Sequence, residues 1–198
     1  LRWKTERNGD TALLIQGARR IGKSTIAKEF ARKEYKSYMI IDFSIAPAEV
    51  HELFRDLSDI NYIFLRLQLI YRVQLLERQS VVVFDEIQKE PLARQAIKHL
   101  VSDHRYDYIE TGSLISVHKN TTNILIPSEE TKVDMFPMDY EEFKWAIGDT
   151  ATIPLLRTAF EQKISLGDAV HRRMMRDFRL YMLVGGMPQA VKEYLETN

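Results

Sequence analysis

No cysteine occurs in the 198 residues, which excludes a disulfide framework and any thiolate metal site and agrees with a reducing compartment. An excess of one charge is missing too. Lys plus Arg total 28 and Asp plus Glu total 28, so no global field draws the chain to nucleic acid or an anionic membrane. There is no apolar run long enough to span a bilayer and no signal-peptide pattern at the start, and we expect a soluble, cytoplasmic protein without a membrane partner. The five histidines are scattered, without HExxH or other metal-ligand spacing, and read as surface or satisfied polar positions. Neither an internal repeat nor a low-complexity segment appears. A chain of this length buries one good core, with room for a small helical annex.

What the chain does have is Gly-Ala-Arg-Arg-Ile-Gly-Lys-Ser at residues 17–24, a complete GxxxxGK[ST] set directly after the apolar run Ala-Leu-Leu-Ile-Gln. This is the pattern of a P-loop. Gly17 and Gly22 let the backbone turn tightly, so that successive N–H groups face a phosphate chain. Lys23 brings a full positive charge to the β and γ phosphates, and the Ser24 hydroxyl suits a Mg²⁺ ion. The following helix turns its N-terminus to the same anion. The expected nucleotide cradle is therefore Gly17, Ala18, Arg19, Arg20, Ile21, Gly22, Lys23, Ser24 and Thr25. Arg19 and Arg20 occupy variable positions, where they either lean toward phosphate or serve packing and the surface.

Ser80 to Gln88 reads Ser-Val-Val-Val-Phe-Asp-Glu-Ile-Gln, a β-branched run ending in two adjacent carboxylates. Asp85 falls at the strand's C-terminal end, where it can hold the Mg²⁺ shell. Glu86 is the natural general base for an attacking water. Further on, Glu110-Thr111-Gly112-Ser113 places small hydroxyls at the end of another strand, as candidates to sense the γ-phosphate or the water.

A pass along the chain alternates strand and helix. Strands are predicted over 13–16, 38–43, 81–84, 106–111 and 132–136, and helices over 23–33, 60–77, 92–102 and 140–146, with a helical tail from 154 onward. Alternation of this kind implies an α/β fold with a parallel sheet covered on both faces and a ligand at the strands' C-terminal ends.

GARRIGKST, VVVFDEIQ, YDYIETGSLISV, MFPMDYEEF and YMLVGGMPQAV, in this order, span almost the whole chain. Together they resemble the bacterial and archaeal group of AAA-type ATPases that carry a C-terminal domain of unknown function. The resemblance implies an ASCE-type sheet of order 5-1-4-3-2, ATP and Mg²⁺ as ligands, and a C-terminal domain beginning about where this sequence ends. Lys23, Ser24, Asp85 and Glu86 fall on the family's motif positions, with Ser113 at that of the sensor. We expect an ATPase core over 1–148 and a helical segment over 149–198. Because the chain begins at Leu1 without Met and stops at Asn198 after an amphipathic stretch, we also expect it to be an excerpt.

Arg172, Arg173, Arg176 and Arg179 could form a basic stripe toward a phosphate, a neighbouring subunit of a homo-oligomer or a nucleic acid, against the plainer reading of a solvated face. Gly185-Gly186-Met187-Pro188 reads as a hinge or a plain inter-helix turn. Three functions follow. The leading one is an ATP hydrolase whose turnover moves the C-terminal region. The others are a slow ATP/ADP switch that signals to a protein partner, and a DNA-handling ATPase. A small-molecule kinase fits less well, because the acid pair suits water activation.

Overall fold

A computed structural model describes residues 2–113 and 127–197. The chain divides into two units, Leu1–Met135 and Phe136–Asn198.

The first unit is built on a five-stranded parallel sheet of order β2-β3-β4-β1-β5. The strands are β1 (Ala12–Gly17), β2 (Ser37–Asp42), β3 (Ser80–Asp85), β4 (Asp107–Ser113) and β5 (Glu130–Met135). Read from the other edge this is 5-1-4-3-2, as the resemblance implies. Every residue of β3 is buried, the signature of a central parallel strand covered on both faces. Its Val82 and Phe84 join Leu14, Ile41 and Tyr108 under α3 (Ala48–Leu53), α4 (Ile60–Tyr71) and α5 (Pro91–Ser102). Val81 and Val83 face the other way, with Ile15 and Ile109, under α2 (Lys23–Glu34). The period-2 alternation of a strand sorts these residues between two cores.

Aromatic rings bind the larger core. Phe84 lies 5.7 Å from Phe43 and from Phe54, and stacks on Tyr108 at 6.2 Å. α4 is shorter than its hydrophobic period predicts. Arg72 turns left-handed (φ 53°), Val73 N–H bonds back to Gln68 O, and the Gln68 side chain captures Leu75 N–H at 2.7 Å. A left-handed residue of this kind is a common helix stop. Two short helices, α1 (Arg2–Arg7) and α3, escape prediction because six residues carry too little periodicity to register.

The second unit holds α6 (Tyr140–Ala146), α7 (Thr152–Glu161), α8 (Gly167–Val184) and α9 (Pro188–Thr197). α6 starts with a reciprocal capping box between Asp139 and Glu142. Phe143 is fully buried, and the buried Lys144 ammonium lies 2.8 Å from Asp149 and 3.0 Å from Asp177. Gly186 packs on the Met138 backbone, whose N–H donates to Gly186 O at 2.8 Å, and Tyr181 OH donates to Met138 O. Of the two readings of Gly185-Gly186, the structure has a pinned turn.

Candidate functional site

Parallel pairing brings three strand ends together. Gly17 of β1 stands in register with Ser113 of β4, and Phe84, the residue before Asp85, with Glu110. The loop from Gly17 to Gly22 then climbs from β1 into α2. At Gly17 a Cβ would lie 2.1 Å from Met135 O and 2.7 Å from Ile21 Cδ1, so only glycine fits. Gly22, at φ 97°, is the left-handed residue from which α2 begins. Between them Ala18, Arg19 and Arg20 are exposed, while Ile21 turns inward and anchors the loop.

Lys23 is buried along its length, and its ammonium donates to Ala18 O at 2.6 Å and Gly17 O at 3.2 Å. It thus sits inside the loop's curve. Burial lowers its pKa from the ordinary lysine value, with a further push from Arg19, and the carboxylates of Glu86 and Asp85 act in the opposite direction.

Ser24, one residue on, donates its hydroxyl to Asp85 Oδ1 at 2.6 Å. Thr111 donates to the same oxygen, and the Lys28 ammonium lies 3.8 Å from Asp85 Oδ2. Asp85 is therefore the hub where α2, β3 and β4 meet. Glu86 follows in a left-handed conformation (φ 57°, ψ 44°), a cost of roughly 1–2 kcal/mol for a side chain with a Cβ. That turn sends its side chain out of the strand's alternation, and its amide reaches toward Thr111 Oγ1 at 3.4 Å. Such strained residues cluster at functional sites.

The AAA domain family profile matches residues 9–144. The chain belongs to the AAA domain family. The match covers every strand of the sheet, the glycine loop and the acid pair, which identifies the first unit as a nucleotide-binding P-loop ATPase fold of AAA type. No curated protein sequence matches the chain. Among solved structures it is similar to the Thermotoga maritima RuvB Holliday junction branch migration motor, with 13% identity and a TM-score of 0.41. The similarity covers 68% of this chain and 41% of that one, so the AAA chain spans less than half the length of that relative.

In this AAA domain the predicted site residues Gly17, Gly22, Lys23, Ser24, Asp85, Glu86 and Ser113 gather at the C-terminal ends of β1, β3 and β4. Ser113 is buried, and its hydroxyl has no hydrogen-bond partner among the described residues. Thr25 is exposed on the first turn of α2. The arginines of α8 all lie on exposed positions, as a solvated face would have them. Among the described residues there is no group of three or more His, Cys, Asp or Glu side chains placed to hold a metal, and no helix is long and apolar enough to cross a membrane.

Three contacts escaped the sequence reading. Lys28 follows Ser24 by one helical turn and shares its face, a signal the i,i+4 spacing contained. Asp42 stands beside Asp85 in register, with its Oδ1 held by the Ser44 hydroxyl and amide, and no motif announced it. Gln88 donates its amide to Glu86 Oε2 across a single 3-10 turn.

Beneath the site lies a buried charge cluster. Arg94 of α5 grips Glu130 of β5 through two bonds of 2.8 and 2.9 Å, and the nearby Glu110 is wholly buried. Burial above all, and then the charge of Glu130, raises the Glu110 pKa well above the carboxylate range, against the pull of Arg94 and Lys132.

Proposed function

We propose that this chain is a Mg²⁺-dependent ATP hydrolase whose turnover drives a conformational change in an attached C-terminal domain. The observation that carries the reading is the 2.6 Å bond between Ser24 and Asp85, which brings the two motifs to one point. A hydroxyl and a carboxylate oxygen converging there form an all-oxygen donor set, the chemistry that Mg²⁺ prefers. Lys23 beside the loop carbonyls supports a triphosphate in the same cradle.

Bound Mg²⁺ would supply charge neutralisation on the phosphate oxygens, held by Ser24 and Asp85. Lys23 would leave the Gly17 and Ala18 carbonyls for the β and γ phosphates, a stronger partner for an ammonium than a neutral carbonyl. Glu86 would take the proton of a water as its oxygen bonds to the γ-phosphorus and the bond to the ADP oxygen breaks. Ser113, buried and with no hydrogen-bond partner for its hydroxyl among the described residues, would hydrogen-bond the γ-phosphate or that water. We assign the ATPase core to 1–148 and a connecting helical segment to 149–198, in a cytoplasmic protein.

A second reading, the slow ATP/ADP switch, is favoured by one observation. Asp85 engages Ser24, Thr111 and Lys28, and these contacts would have to rearrange for Asp85 to hold Mg²⁺, which would slow turnover. Calorimetric titration with ATP and Mg²⁺ tests both readings. Binding lost in Lys23→Ala and weakened without Mg²⁺ supports a nucleotide site here, and the Mg²⁺-insensitive binding of a polyanion would contradict it. DNA handling is tested by fluorescence titration at low and high salt, where a salt-independent baseline removes it.

A further inference from the structure

We propose that Gln88 is the positioning residue of Glu86, holding one carboxylate oxygen so that the other is free to take a proton; this rests on Glu86 being the general base.

Glu86 is held at three points. Its amide reaches Thr111 Oγ1 at 3.4 Å, its carbonyl accepts from Lys89 N–H at 2.9 Å, and its Oε2 accepts from the Gln88 side-chain amide. The first two contacts fix the backbone in its left-handed conformation, and among the described residues the third is the hydrogen bond that fixes the carboxylate. Gln88 can do this because the 3-10 turn Ile87–Lys89 returns it toward Glu86 and because its own side chain is buried, only 6% exposed. A carboxylate only accepts hydrogen bonds, so the NH₂ end of Gln88 is the end that faces it.

The residue type also fits. A cationic donor such as Lys or Arg stabilises a carboxylate's charge and weakens it as a base. An amide fixes the rotamer with a neutral donor. Lys28, the cation one turn beyond Ser24, is directed instead at Asp85, where basicity is not required. The two adjacent acids thus receive different direct partners, an ammonium at 3.8 Å for the one expected to bind metal and an amide hydrogen bond for the one expected to move a proton, while the charge of Lys23 acts on both.

The test compares Gln88→Met, of similar length without a donor, and Gln88→Glu, of similar shape with a repelling charge, alone and with Glu86→Gln. Phosphate release is resolved into kcat and KM, and Tm is followed in parallel. Both Gln88 variants should lower kcat about 10–100-fold, the scale of a misplaced catalytic group, with KM and Tm little changed. In the Glu86→Gln background they should add less than about twofold, because the group they position is gone. An unchanged kcat, or a loss that adds in full to that of Glu86→Gln, overturns the proposal. Retained turnover in Glu86→Gln alone refutes the base assignment instead. A readout independent of turnover is the side-chain ¹⁵N–¹H pair of Gln88. Glu86→Ala should shift it strongly, and an unmoved pair means the contact is not made.

Discussion

The Lys28 ammonium stands 3.8 Å from Asp85 Oδ2, while Oδ1 of the same carboxylate takes the Ser24 and Thr111 hydroxyls. An internal cation therefore occupies the side of Asp85 that the hydroxyls leave open. Lys28 is about half exposed, and solvent screening keeps such a pair near 0.2–1 kcal/mol. Lys28→Met should consequently tighten Mn²⁺ binding in the presence of ADP by about two- to fivefold, read by electron paramagnetic resonance. Unchanged or weaker binding would show that Lys28 does not compete for Asp85.

Lys23 makes a prediction about pH. Burial lowers its pKa in the free protein, whereas phosphate oxygens favour its charged form, so ATP binding should take up protons. The sign follows: affinity is full at pH values where Lys23 is charged and falls as pH rises through the lowered pKa, earlier than an ordinary lysine would allow. Titration calorimetry in buffers of different ionisation enthalpy measures the uptake. Lys23→Arg, which stays charged, should flatten the alkaline decline, and a decline that persists in it would assign the effect elsewhere.

Glu110 predicts a stability change of the opposite kind from a surface carboxylate. Its folded pKa is raised, so the protonated form is the one that folds well, and stability is lost as pH rises from the unfolded carboxylate value toward the folded one. Glu110→Gln keeps the shape and removes the proton dependence. The variant should be more stable than the parent at pH 8 and nearly equal to it at pH 4. A gain of about 1 kcal/mol would appear as about 2–4 °C in Tm. A lower Tm at pH 8 would mean that Glu110 is needed as a charge beside Arg94.

Gly186 tests the second unit. A Cβ there would fall 2.1 Å from the Met138 carbonyl oxygen, so Gly186→Ala must move backbone. Overpacking of this kind costs typically about 1–3 kcal/mol, and the thermal unfolding of this unit should move down accordingly. An unchanged transition would return Gly186 to the hinge that its sequence also suggested.

The sheet was legible because its strands carry their evidence locally: Val81 to Phe84 are continuous and apolar, and Ala12 to Gln16 runs directly into the glycine loop. The strand order came from the family resemblance, and the register confirms it. The early end of α4 was hidden, since the apolar pattern continues past Tyr71 and only the left-handed Arg72 and the Gln68 side chain stop it. In the site, the motif residues could be named from spacing alone. Thr111 could not be told from Ser113, because residues two apart share one face of β4 and only their position along the strand decides which hydroxyl meets Asp85. Gln88 had no signature either, since its bond to Glu86 follows from a left-handed turn that an ordinary side chain rarely adopts.

The most direct test of the hydrolase is phosphate release from ATP and Mg²⁺ by this chain, beside Lys23→Ala and Glu86→Gln. Turnover by the parent is expected, with Lys23→Ala losing both binding and turnover, and Glu86→Gln keeping nucleotide binding while losing about 10²–10⁴-fold in rate. Nucleotide binding without turnover in the parent, or turnover that survives Glu86→Gln, would contradict it.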